Sequence, residues 1–162
     1  MTRRITTALA VVLAAFGLVL AVSAPASAAG TNRTMAVWGN LHLEDYETFA
    51  ANEHCYSSLN TTRTANPSYP IEIEWIRTCG GEIRAELHMQ GQVLSNNYLH
   101  VFGTVLFFEG TSTSTSDLDG SKNFTLYVAP GGSSPLNLTV WNTEEGDCDC
   151  AYYHLAVGNY AP

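Results

Sequence analysis

The side chains of this sequence that can do chemistry fall into three sets: cysteines, acids in turning loops, and aromatic rings set beside amides and hydroxyls. The cysteines are Cys55, Cys79, Cys148 and Cys150. An even number in a secreted chain reads as two disulfides, with three connectivities open. Cys148 and Cys150 are separated only by Asp149, and a bond between them closes a small ring of awkward geometry. The expected pattern therefore gives each of them one partner from Cys55 and Cys79. The competing pattern joins Cys55 to Cys79 and leaves a Cys-x-Cys redox pair. Its surroundings speak against it, because reactive thiols need electropositive neighbours and these sit among Glu144, Glu145, Asp147 and Asp149.

The acids suggest calcium. Glu109 opens a segment that closes on Asp117-Leu118-Asp119-Gly120, and residues 144–149 read Glu-Glu-Gly-Asp-Cys-Asp. Calcium takes several hard oxygens gathered by a turning loop, and Asp-x-Asp-Gly supplies part of such a set. It is no EF-hand, since the third ligand position and the distal glutamate are missing. If both loops lie at one end of the fold, Asp117, Asp119 and Asp147 share one ion; otherwise they are two solvated loops. No other cofactor is indicated. The histidines, His42, His54, His88, His100 and His154, show no ligand spacing and read as surface residues. There is no Gly-x-Ser-x-Gly elbow, no His-Glu-x-x-His and no phosphate-cradling loop. Gly131-Gly132-Ser133-Ser134-Pro135 is a hairpin turn rather than a nucleophile site. The 15 acids still allow a catalytic carboxylate pair, whose separation the sequence does not give.

The elements that must position these groups are strands. Met35, Val37, Gly39, Leu41 and Leu43 alternate with Ala36, Trp38, Asn40 and His42. Ile71, Ile73 and Trp75 alternate with acids, and Ile83, Ala85, Leu87 and Met89 alternate with Glu82, Arg84, Glu86 and His88. Residues 98–109 are apolar on both faces, as in a central strand. Phe124, Leu126 and Val128, then Leu136, Leu138 and Val140, then Tyr153, Leu155 and Val157 complete seven strands. Gly80-Gly81, Asn96-Asn97, Asp119-Gly120 and Pro130-Gly131-Gly132 supply turns. Residues 44–53 can be read as a short helix or a loop, with Tyr46, Phe49 and Ala50 at helical spacing. The fold class is all-β: a small antiparallel two-sheet sandwich of about seven strands, with a β-barrel as the alternative. Val37-Trp38-Gly39 is echoed by Val101-Phe102-Gly103 at an offset of 64, and Ile71-Glu72-Ile73 by Leu136-Asn137-Leu138 at 65. A duplicated half-domain explains both echoes, as does chance between strands of similar burial.

With the apolar positions inward, Trp38, Asn40 and His42 point out. So do Asn123, Thr125 and Tyr127, then Asn137, Thr139 and Trp141, then Tyr152 and His154. Rings cover the apolar face of a sugar while amides bond its hydroxyls, so Trp38, Tyr127, Trp141 and Tyr152 are the candidate ligand-binding residues. The plainer reading is that Thr, Tyr and Trp pack well on any exposed sheet face.

Arg3-Arg4, a short apolar run and Ala26-Ser27-Ala28 make residues 1–28 a cleavable signal peptide of bacterial, alanine-rich texture, leaving residues 29–162 as one domain. The run is shorter than the ~20 residues a bilayer needs, and no later segment spans a membrane. Removing the two leader arginines takes the net charge from −8 to −10, which disfavours nucleic acid and anionic membranes as partners. No family motif is recognised. The expected function is a secreted, non-enzymatic module that binds an extracellular ligand: a glycan, a protein or the cell surface. The alternatives are a small secreted hydrolase, or an inhibitor or toxin presenting a disulfide-anchored loop.

Overall fold

Period-two alternation runs through most of the chain, and the computed structural model resolves it into two sheets; it describes residues 30–46, 51–142 and 149–162. The strands are β1 Arg33–Asp45, β2 Glu53–Ala65, β3 Ile71–Cys79, β4 Ile83–Val93, β5 Leu99–Phe108, β6 Leu118–Val128, β7 Ser133–Trp141 and β8 Cys150–Tyr160. Sheet I has the order β2-β1-β8-β7 and sheet II the order β3-β4-β5-β6, and every pairing is antiparallel. The architecture is the two-sheet sandwich, with eight strands among the described residues in place of seven. No helix among the described residues is long and apolar enough to cross a membrane. The signal peptide expected at residues 1–28 lies outside the described residues.

The added strand is β2. Its core-facing positions are Cys55, Ser57, Leu59 and Thr61, all half-buried, so it has almost no apolar alternation. It is an edge strand, paired residue for residue with β1 from Arg33↔Ala65 to Asp45↔Glu53. A polar edge strand discourages pairing with foreign chains, and that same polarity hides it from a hydrophobic pattern. The helix considered for residues 44–53 is replaced at both ends by β1 and β2, and residues 47–50 lie outside the described residues.

The core is the inward set of the two sheets. Met35, Val37, Leu41 and Leu43 of β1 face Ile83, Ala85, Leu87 and Met89 of β4, with Val101, Val105 and Phe107 of β5 and Tyr153, Leu155 and Val157 of β8. Among the described residues, two polar atoms in this core lack a hydrogen-bond partner: the Trp75 indole Nε1 and the Tyr153 hydroxyl. Burial, with a smaller push from the charge of Glu86, drives the Tyr153 phenol well above its ordinary range. An unmade buried bond gives no return for its desolvation. Tyr153→Phe is therefore expected to leave stability unchanged or raise it by about 1 kcal/mol, measured by urea unfolding. A loss of about 1 kcal/mol or more would show that the hydroxyl has a partner.

The two sheets are closed at both sides. Cys55 of edge strand β2 is bonded to Cys79 at the end of edge strand β3, with a Cα–Cα distance of 5.6 Å. This corrects the expected pairing of Cys55 and Cys79 with Cys148 and Cys150. Chain spacing showed only that a Cys148–Cys150 ring is awkward; that β2 and β3 are facing edges is a fact of topology. Cys150 is buried in β8 opposite Trp141, and Cys148 lies outside the described residues. On the far side the Asn142 amide donates to the Glu109 carboxylate at 2.7 Å.

The strand order carries an internal symmetry. Advancing each strand of sheet I by four (β2 to β6, β1 to β5, and β8 and β7 cyclically to β4 and β3) produces the order of sheet II. The registers agree as well. Gly39 pairs with Leu59 and Leu155, and Gly103 pairs with Phe124 and Met89. The echo of Val37-Trp38-Gly39 in Val101-Phe102-Gly103 falls on equivalent positions. The second echo is displaced by two residues, since Ile73 and Leu136 are the equivalent partners of Met89 and Leu155. A third echo emerges from the same register: Ala85-Glu86-Leu87-His88-Met89 matches Ala151-Tyr152-Tyr153-His154-Leu155. Symmetric order, register and the two echoes that fall in register together support a duplicated half of four strands.

Candidate ligand-binding face

The outward positions of sheet I follow directly from the β1 alternation, and the paired registers extend them across four strands. One transverse row reads His54, Glu44, Cys150, Trp141 from β2 to β7; the next reads Tyr56, His42, Tyr152, Thr139. Then come Ser58, Asn40, His154, Asn137, and last Asn60, Trp38, Ala156, Pro135. Trp38 is 36% exposed and Trp141 51%, whereas Trp75, an inward residue of β3, is 4% exposed. The strand phases assigned to β1, β6, β7 and β8 place their aromatics outside, as the alternation predicts.

The four candidate aromatics do not share one surface. Trp38, Trp141 and Tyr152 belong to sheet I, but Tyr127 lies on β6 of sheet II, where it stacks on His100 at 4.6 Å. Alternation within a strand decides inside from outside; it does not decide which of two outsides. Tyr56, on the strand the alternation missed, takes the vacant place and is 75% exposed. It stacks on His42 at 4.4 Å with planes 6° apart, and His42 stacks on Tyr152 at 5.5 Å and 22°. Neighbouring strands lie about 4.8 Å apart, so these three rings stand upright side by side and show their edges to solvent. Trp141 sits in the first row on edge strand β7, and Trp38 in the last row on the inner strand β1. Six residues along β1 and two strand spacings separate their rows, about 20 Å by about 10 Å.

Between the tryptophans the face is polar and nearly uncharged. Ser58 Oγ donates to Asn40 Oδ1 at 2.8 Å, and Asn40, His42, Tyr56, Ser57, Ser58 and His154 line an open depression of about 470 Å³. Among the outward positions of sheet I only Glu44 carries a formal charge. That is unusual in a chain of net charge −8.

Sheet II is built on the equivalent positions with different chemistry. His88 stands where His154 stands, and the hydrogen-bonded pair Thr104 and Asn123 stands where Asn40 and Ser58 stand. These line a wider depression of about 630 Å³ together with Glu72, Glu74, Gln90 and Phe102. Here the outward residues include Glu72, Glu74, Arg84 and Glu86. Arg84 Nε lies 2.7 Å from one Glu86 oxygen and His88 Nε2 lies 2.8 Å from the other. Burial works to raise the Glu86 carboxyl, but the hydrogen bonds and charges of His88 and Arg84 outweigh it and hold the group below its ordinary range. A carboxyl held ionised in this way is a poor proton donor, and the cluster is an ion-pair chain.

The calcium set lies only partly within the described residues. Asp119 accepts from the Glu109 backbone amide at 2.7 Å, which closes its own loop, and Asp117 is exposed nearby. Asp147 lies outside the described residues. Two of the five histidines, read from the sequence as isolated surface residues, meet in the fold. His42 Nε2 and His54 Nδ1 lie 3.3 Å apart, and Glu44 Oε1 is 3.9 Å from the same His54 nitrogen. The available signal was His42-x-Glu44, which puts two ligand types on one face of a strand; the third member comes only from the Glu44↔His54 register.

No family model matches this chain, and no curated protein or solved structure is similar enough to count as a match.

Proposed function

We propose that this protein is a secreted, non-enzymatic binding module and that the outer face of sheet I holds a neutral, hydroxyl-rich ligand such as a glycan. The supporting observation is the composition of that face: exposed Trp38, Tyr56 and Trp141 share it with Asn40, Ser58, Asn60, Asn137 and Thr139, with Glu44 as the one formal charge. Indole and phenol rings offer apolar area at small entropic cost, and amides and hydroxyls fix orientation. The upright Tyr56–His42–Tyr152 row makes a ridge rather than a platform, so sugar rings stack on the two tryptophans and the chain crosses the polar rows between them. That diagonal fits a short oligosaccharide. The signal-like leader and the Cys55–Cys79 bond fit an extracellular location.

The test is retention of the purified protein on insoluble cellulose and chitin. Trp38→Ala and Trp141→Ala are each expected to weaken retention roughly tenfold, an aromatic anchor's loss of about 1.4 kcal/mol. Tyr127→Ala, on the other sheet, is expected to change nothing. Absence of retention on both polymers, or retention that Tyr127→Ala abolishes, would remove this face as the binding surface.

A further inference from the structure

The β1–β2 hairpin brings together three groups that share no motif in the sequence. Imidazole nitrogens from His42 and His54 and a carboxylate oxygen from Glu44 all lie within 4.8 Å of one another, and among the described residues no other such cluster of three is present. We propose that His42, Glu44 and His54 form a binding site for one divalent transition-metal ion of the zinc type.

Distance is the first argument. Zinc holds nitrogen and oxygen at about 2.0–2.2 Å, so two ligands on one tetrahedral edge stand about 3.4 Å apart. The His42 Nε2 to His54 Nδ1 separation is 3.3 Å, already that edge. Glu44 Oε1, at 3.9 Å from His54 Nδ1, reaches it by a small rotation of a flexible side chain. The same His54 nitrogen faces both partners, so the three ligand atoms converge on one point. The two imidazoles share one hydrogen bond, and a bound ion would replace it with a bond to each.

Support of the ligands is the second argument. The His42 ring is held between Tyr56 and Tyr152. His54 adjoins Cys55, whose bond to Cys79 ties this edge strand to the other sheet. The backbone behind both imidazoles is thus fixed before an ion arrives, as a site of defined geometry requires. Access is open, since the side chains of His54 and Glu44 are 45% and 25% exposed, which leaves a fourth position for water or for a donor from a ligand.

Ligand type is the third. Two imidazoles and one carboxylate suit zinc, copper or nickel and are poorly matched to calcium or magnesium, which want oxygen alone. The site is independent of the glycan reading and stands if that reading fails.

The experiment is calorimetric titration of chelator-stripped protein with zinc chloride, followed in parallel by the histidine side-chain NMR signals. The expected result is one ion per chain, with the signals of His42 and His54 shifted and those of His100 and His154 unmoved. His54→Ala and Glu44→Gln should each weaken binding by at least about tenfold, the smallest loss that even an outer-sphere partner produces. Both positions are partly exposed, and circular dichroism of each variant confirms that the sheet is intact. His154→Ala should leave affinity and stoichiometry unchanged. Absence of one-to-one binding would overturn the assignment, as would binding that survives His54→Ala or is lost with His154→Ala.

Discussion

Replacing Gly39 with alanine is expected to cost at least about 3 kcal/mol and to leave little folded protein. Gly39 has φ of 140°, a conformation that residues with a β-carbon rarely adopt. Space compounds the strain. A Cβ here would lie 2.1 Å from the His154 carbonyl oxygen and 2.7 Å from Leu155 Cα. Both are backbone atoms of β8, so no rotamer change relieves the clash; β1 and β8, the central pair of sheet I, must part. Gly103, its symmetry equivalent, meets the His88 carbonyl oxygen of β4 at 2.0 Å in the same way. Gly81 is the control, because a Cβ there meets nothing within 4 Å. Urea unfolding of Gly39→Ala, Gly103→Ala and Gly81→Ala should therefore separate the first two from the third. A loss of under about 1 kcal/mol for Gly39→Ala would mean that the two central strands are less closely joined than described.

Removing the Cys55–Cys79 bond is expected to destabilise the protein by about 3.5 kcal/mol, the chain-entropy value for a loop of 24 residues. The bond joins edge strands of different sheets, so its loss frees the polar strand β2, whose inward side chains contribute little apolar burial. The double variant Cys55→Ser with Cys79→Ser, compared with the parent in urea, measures the effect. Peptide mapping without reductant should recover one fragment that links the two regions. A fragment joining Cys55 or Cys79 to residues 148–150 would restore the pairing that spacing alone suggested.

Both outcomes depend on features that the sequence discloses unevenly. Strand β4 is legible because every second residue from Ile83 to Val93 is buried, so its period survives any choice of partner. The outward phase of Trp38 and Trp141 is legible for the same reason. Strand β2 is not, because an edge strand with Ser57 and Thr61 facing inward satisfies its ladder without an apolar stripe. Everything that depended on β2 was lost with it: the partner of Cys79, the ring stacked on His42, and the meeting of His42 with His54. Tyr127 failed differently. Its phase is right, but a sandwich has two outsides, and only the crossing from β6 to β7 shows that this tyrosine and Trp141 stand on opposite ones.

The fourfold strand shift has a bearing on how the chain can be strung. Leu99 pairs with Val93 across the turn that joins β4 to β5, and the equivalent pair on the other sheet is Met35 with Asn159. There the start of β1 lies beside the end of β8, and the corner is already knit. Arg33 Nε donates to Asn159 Oδ1 at 2.9 Å, the Asn159 amide donates to the Asn97 carbonyl at 2.9 Å, and the Thr31 amide reaches Asn97 Oδ1 at 2.8 Å. A circular permutant that bridges this corner with a short turn and opens the chain between Asn96 and Asn97 keeps every strand ladder unchanged. What defines this sandwich is therefore the cyclic succession of eight strands, and the point at which the cycle is cut is interchangeable between its two halves.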